Sequence, residues 1–232
     1  MAETAAAEKT SGPKRAPQQD RSRASFERMM ISAERLLRER TNDDFTLNEV
    51  SKLAKVSIGS IYGRFSSKDD LLRTVQARVL ERFAVDQSAA IERARSESSS
   101  LYEIIFNLVE HVAETLKEHA PLLRPLMLRA TADPQLAKAG SGGFHMSMDL
   151  FASCVLEYRD EILHNDPEHA ARAVFDIFYS AVGRSMGFGL PDHYRRDVME
   201  WHRLKEDLGS MCAAFLMTDL KLIRSGANQS QE

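Results

Sequence analysis

The chain has 232 residues, 43% of them hydrophobic and 28% charged. That is an ordinary globular balance with length enough for a sizeable core, and it excludes wholesale disorder and collagen-like repeats. The net charge of −3 conceals an asymmetry: residues 1–82 carry 16 Lys and Arg against 12 Asp and Glu, whereas residues 83–232 carry 15 against 22. A mildly basic head on an acidic body suits contact with nucleic acid at one end only. The best apolar stretch, Ala173 to Leu190, is interrupted by Asp176 and Arg184, so no membrane span is expected. Glu3, Glu8, Lys9, Lys14 and Arg15 stand where a secretory signal would need an apolar core. With only Cys154 and Cys212, no disulfide framework is expected and a reducing, cytoplasmic location is.

Residues 1–20 are rich in Ala, Lys, Pro and Gln and lack an apolar period, which predicts a disordered tail. Phe26, Met29, Met30, Ala33, Leu36 and Leu37 then recur at helical spacing, predicting an amphipathic helix over 22–40 that ends at Thr41–Asp44. Thr46 and Glu49 have the spacing of a capping box, which opens a short second helix with Val50, Leu53 and Ala54 inward. Ser57 is placed to cap a third short helix ending near Phe65. Ser66 to Asp70 opens a long one from about Lys68 into the 90s, with two acids where the helix dipole favours them.

Further along, Leu101–Lys117 is predicted helical, and Pro121 and Pro125 confine the next helix to about 121–131. Asp133-Pro134 and Asp166-Pro167 each place a cap residue before a proline at the first helical position. Gly140, Gly142 and Gly143 predict two segments or a kink between them. Helices over 167–187 and 203–224 follow, joined by a 187–194 linker. No stretch alternates as a strand does. The expectation is an all-α chain of about nine helices: a tail over 1–20, a helix-turn-helix domain over 21–67 and a helical body over 68–226.

The informative stretch is Phe45–Leu72. Two short helices about a tight turn, with Val50, Ala54, Val56, Ile61 and Phe65 inward, make a helix-turn-helix, in which the second helix enters a DNA major groove. Its residues are specific: Thr46, Val56-Ser57, Gly59-Ser60-Ile61-Tyr62, Phe65 and Ser67-Lys68-Asp69-Asp70-Leu71-Leu72. This run resembles the DNA-binding region of TetR-family transcriptional regulators, and the likeness covers about residues 22–72. Three positions depart from the family pattern. Lys55 stands where the turn commonly has Gly, Ser51 replaces a frequent Ala, and Gly63 replaces a larger, often polar residue.

The resemblance implies a DNA-binding transcription regulator rather than an enzyme, with double-stranded DNA as partner. Ser60 and Arg64 would then read bases and Ile58 would meet a thymine methyl. Tyr62 and Lys68 would contact phosphates, with Arg23, Thr46 and Ser57 beside them. Gly59 and Gly63 fall on the groove-facing side, where missing side chains let the backbone approach.

It also implies a homodimer through the last two helices, with Val174, Phe175, Ala181, Met211 and Phe215 as candidate contacts, and a small-molecule effector in the body. Phe106, Met127, Phe144, Met148, Phe151 and Phe178 are candidate pocket linings for a largely apolar organic effector. His111, Glu114, Thr115, Glu118 and His119 share one helix at spacings that suit either a divalent metal or a solvated polar face. No Gly-rich phosphate loop or nucleophile elbow occurs, and neither metal nor cofactor is expected. A second class fits the same residues: a helical small-molecule-binding or interaction protein whose helix-turn-helix no longer reads DNA.

Overall fold

The computed structural model describes residues 16–188 and 200–219. Among them are eight α-helices, one 3-10 turn and no strand. The order is α1 (Ala16–Arg40), α2 (Leu47–Ala54), α3 (Ile58–Tyr62), α4 (Lys68–Ser96), α5 (Leu101–Ala130), α6 (Pro134–Leu156), the 3-10 turn Arg159–Glu161, α7 (Pro167–Ser185) and α8 (Trp201–Met217). Most of 1–20, the linker beyond Phe188, and Leu220, Leu222 and Ile223 lie outside the described residues. α1 begins at Ala16, inside the segment expected to be a tail.

The first helices form where their caps dictate. Thr46 accepts from the Glu49 backbone N–H while the Glu49 carboxylate accepts from the Thr46 N–H, so two otherwise orphaned donors are satisfied reciprocally. Ser57, Ser67 and Ser100 cap α3, α4 and α5, each side chain accepting from the backbone N–H three residues on.

Two expectations are corrected. Residues 101–130 form one helix with Pro121 and Pro125 inside it, not two. Buried Leu116, Leu122, Leu123 and Leu126 continue the core face through both prolines, so packing outweighs the lost backbone bonds. Residues 134–156 are likewise one helix, α6, running through Gly140, Gly142 and Gly143. Buried Leu136, Met148, Phe151 and Val155 hold it on either side of the glycines.

One apolar core runs the length of the molecule, from Met29, Leu37 and Ile61 in the head to Phe175, Phe178 and Leu216 in the body. α4 belongs to both. Its first turn follows the helix-turn-helix directly, and its later turns pack on α5 and α6.

Candidate nucleic-acid interface and effector cavity

In the head, Ile61 and Phe65 are buried, and Gly59, Ser60, Tyr62, Gly63 and Arg64 are exposed. α3 therefore presents its glycine side outward. α2 ends at Lys55, whose φ of 53° and ψ of 49° are left-handed. A side chain there carries strain of roughly 1–2 kcal/mol that Gly would avoid. The turn is held by its neighbours: Ser51 Oγ donates to the Val56 carbonyl at 2.7 Å, and Arg28 Nε donates to the Ala54 carbonyl at 3.0 Å. Ser51, buried at this corner, thus has a structural task that a chain-order reading of a frequent Ala position misses.

The predicted interface residues fall into two groups. Exposed without a salt bridge among the described residues are Arg23, Thr46, Ser57, Ile58, Gly59, Ser60, Tyr62 and Gly63. Ser57 and Ser60 pair their hydroxyls at 2.8 Å, and Tyr62 is 60% exposed. Arg64, though exposed, and Lys68 are instead engaged within the head. Arg64 Nη2 donates to the Ser22 carbonyl at 2.8 Å and lies over the Phe26 ring. Lys68 Nζ donates to the Asp43 carbonyl, sits 3.2 Å from Asp43 Oδ2 and lies over Phe45. Both anchor α1 or the α1–α2 corner to the recognition region in this state. Lys52 and Lys55 were not among the predicted contacts. Both are exposed beside the turn and make no ion pair among the described residues.

In the body, a cavity of about 360 Å³ lies between α4, α5, α6 and α7. Of the six expected linings, Met127 and Phe144 border it. Met148, Phe151 and Phe178 are core residues outside it, and Phe106 packs on α8, where a Cβ on Gly209 would lie 2.9 Å from its ring. The remaining wall includes Gln76, Leu80 and Phe83 of α4 and Gly140 and Gly143 of α6. Those glycines help make the space: a Cβ on Gly143 would sit 3.6 Å from Leu80 Cδ2, and one on Gly140 3.8 Å from Gln76 Nε2.

The candidate dimer residues also divide. Val174 and Phe175 are fully buried inside the chain, so they face the body. Ala181 and Phe215 are half-buried, and Met211 is 62% exposed. The outward apolar residues of α7 and α8 are Ile177, Met211 and Met217.

The His and Glu residues of α5 do not converge. His111 pairs with Glu97 at 2.7 Å and His119 with Asp86 at 2.8 Å. Glu114 accepts from Lys205 Nζ at 2.5 Å and from Trp201 Nε1 at 2.6 Å. Burial alone would raise the Glu114 carboxyl, yet the Lys205 ammonium and the Trp201 N–H hold it below its usual range. Burial pushes the Cys154 and Cys212 thiols up to about 11, which leaves both as unreactive core residues.

Residues 31–75 match the bacterial regulatory proteins of the tetR family. The chain carries a TetR-family head. A search of the curated proteins returns no match. Among solved structures the chain resembles a protein described as a TetR-family transcriptional regulator from Mesorhizobium loti, with a TM-score of 0.64 at 20% identity over 88% of this chain and 98% of that one. It also resembles a transcriptional regulator from Rhodococcus sp. Rha1, with a TM-score of 0.61 at 16% identity over 82% and 95%. At such identities the likeness establishes the fold alone. Among the described residues, no helix is long and apolar enough to cross a membrane.

Proposed function

We propose that this chain is a ligand-responsive transcription regulator, acting as a repressor that binds a palindromic operator as a homodimer and leaves it when a small molecule fills the cavity of the body. In this reading residues 21–67 are the reading head and 68–226 the effector and dimer body. The observation that carries it is the position of α4. Its first turn abuts the helix-turn-helix, and Gln76, Leu80 and Phe83, two to four turns later, wall the cavity. A molecule that binds better when α4 is displaced would lower operator affinity by that same difference in affinity. The outward side of α3 with its two glycines, flanked by Ser60, Tyr62, Lys52 and Lys55, would face the groove. α7 and α8, through Ile177, Met211 and the half-buried Ala181 and Phe215, would supply the two-fold contact.

Selection of genomic DNA fragments on the full-length protein, followed by footprinting, tests this. A protected palindrome bound by two chains is expected, with affinity falling steeply as salt rises. A second reading, a helical small-molecule binder that does not read DNA, draws support from Arg64 and Lys68 being engaged within the head. Absence of salt-dependent retention on any DNA would favour it.

A further inference from the structure

The cavity has a polar end that offers hydrogen-bond acceptors, Ser147 and Gln76. Gln76, Leu80, Phe83 and Gln87 follow one another along a single stripe of α4, and the first three wall the cavity. Gln87 lies behind Ser147, which is part of the wall, and the Ser147 hydroxyl donates to Gln87 Oε1 at 2.6 Å. Gln87 is 2% exposed and stands outside the wall, so it acts on the cavity only through the Ser147 hydroxyl that it holds. With its proton committed to Gln87, the Ser147 oxygen has only lone pairs to offer. Gln76 commits one of its two amide hydrogens to the Leu136 carbonyl at 2.9 Å, and its carbonyl oxygen is a second acceptor on the wall.

Among the described residues no carboxylate, ammonium or guanidinium borders the wall. The Tyr179 phenol, also on the wall, is pushed up by burial and stays uncharged. A charged ligand would therefore lose its hydration without a counter-ion. Apart from Ser141, the rest of the wall is apolar, with Leu80, Phe83, Leu126, Met127 and Phe144 around the space. At about 360 Å³ it is near the small end of the range of ligand pockets, roughly 300–1,000 Å³.

Resting on the cavity as effector site, we infer that it takes an uncharged, compact, largely apolar molecule bearing a hydroxyl group, which donates to the oxygens of Ser147 and Gln76. A carboxylate, an acceptor only and charged, is disfavoured twice. An ether of the same shape lacks the donor.

Calorimetric titration of the full-length protein with naphthol, methoxynaphthalene and naphthoate tests the chemistry, because the three share one apolar body and differ in the polar group. Naphthol should bind at least about tenfold more tightly than either of the others, on the order of 1.4 kcal/mol. In Ser147→Ala the naphthol-to-methoxynaphthalene ratio should fall to within about twofold, while methoxynaphthalene keeps its parental affinity as a check on folding; in Gln87→Leu, which frees the Ser147 proton to donate to either ligand, the ratio should fall likewise. Naphthoate or methoxynaphthalene binding as tightly as naphthol would overturn the inference. So would a ratio that survives in both variants, or binding of none of the three. Operator affinity with and without naphthol separates the two claims: if the ratios behave as expected and operator affinity does not move, the cavity chemistry stands and the effector role falls.

Discussion

Arg129, one residue before the end of α5, holds Nη2 2.8 Å from Oδ1 of Asp69 in the first turn of α4. The same guanidinium lies 3.8 Å from Asp43 at the α1–α2 corner, and it is flanked by the cavity residues Met127 and Ala130. A second bridge, Arg73 to the nearly buried Asp133 at 3.0 Å, ties α4 to the start of α6, where Asp133 also caps the helix. Cavity and head are thus joined through ion pairs as well as through α4 itself. Both ends of the Arg129–Asp69 pair are partly exposed, so Arg129→Ala should cost no more than about 1 kcal/mol in urea unfolding. Its larger effect should be on coupling. The fold-change in operator affinity that a cavity ligand causes should shrink at least about threefold, which is roughly 0.6 kcal/mol of coupling. An unchanged ligand response in a stable Arg129→Ala protein removes this pair from the transmission route.

Assembly separates cleanly from folding on α7. Phe175 is fully buried against Phe144, Phe151 and Tyr179, so Phe175→Ala should lose about 3–5 kcal/mol of stability. Ile177, two residues on, is 49% exposed, and Met211 on α8 is 62% exposed. The double change Ile177→Asp and Met211→Asp should leave chemical denaturation of the monomer within about 0.5 kcal/mol, as surface changes do. It should convert the dimer to a monomer in sedimentation at micromolar concentration. A dimer that persists places the two-fold contact elsewhere.

Acid should act on the head through Glu49. Its carboxylate takes a hydrogen bond from Arg40 and two more from the N–H and hydroxyl of Thr46, which together hold it down at about 2. In the unfolded chain the group titrates near 4.5. Because the folded value is the lower one, Glu49 stabilises the head fully above the unfolded value and loses that contribution as the pH falls toward 2. Thermal melting of the parent and of Glu49→Gln should therefore differ most near neutral pH and converge at the acid end. A gap that is constant with pH would assign the effect of Glu49 to shape rather than charge.

The head was legible because its signals are local. Capping residues three apart, and the inward Ile61 and Phe65, depend on neighbours within one turn, and the helices formed where those signals stand. Signals that packing can override misled. Pro121 and Pro125 stop an isolated helix, but α5 is held on both sides of them by buried leucines contributed to the core. Gly140, Gly142 and Gly143 read as breaks, whereas α6 runs through them, and two of the three border the cavity. The apolar residues chosen as pocket linings were large and helical, and that describes core and wall equally well. The wall had a different mark in the sequence: Gln76, on the wall, and Gln87, behind it, are polar residues on the otherwise apolar stripe of Leu72, Val79 and Phe83, and apolar periodicity skips over them. Arg64 and Lys68 are the reverse case. Their charge suggested a base edge for Arg64 and a phosphate for Lys68, but their partners Ser22 and Asp43 lie 42 and 25 residues away, beyond what a motif can register.

The outward glycines of α3 give the sharpest test of the groove-facing side. Gly59 lies within the helix, and a Cβ built there meets nothing nearer than Ser57 Oγ at 3.9 Å, so the fold has room for a side chain. Gly63 is less informative. It ends the helix with an ordinary φ of −71°, and a Cβ there would lie 3.3 Å from the Gly59 carbonyl oxygen, so a large residue at 63 disturbs the helix end as well as any DNA contact. Glycine weakens a helix by about 1 kcal/mol relative to alanine, and at an open, solvent-facing position the head gains nothing in return. Close approach of backbone to base edges would supply the missing gain. Gly59→Leu should therefore raise thermal stability, by up to about 0.8 kcal/mol, while lowering operator affinity at least about tenfold, or 1.4 kcal/mol. Lys55→Ala is the contrasting change, since its exposed cation flanks the turn without a partner side chain. It should weaken every DNA sequence alike and reduce the salt slope by roughly one unit per chain. A Gly59→Leu protein that is more stable and still binds its operator with parental affinity would mean that this side of α3 does not lie in the groove.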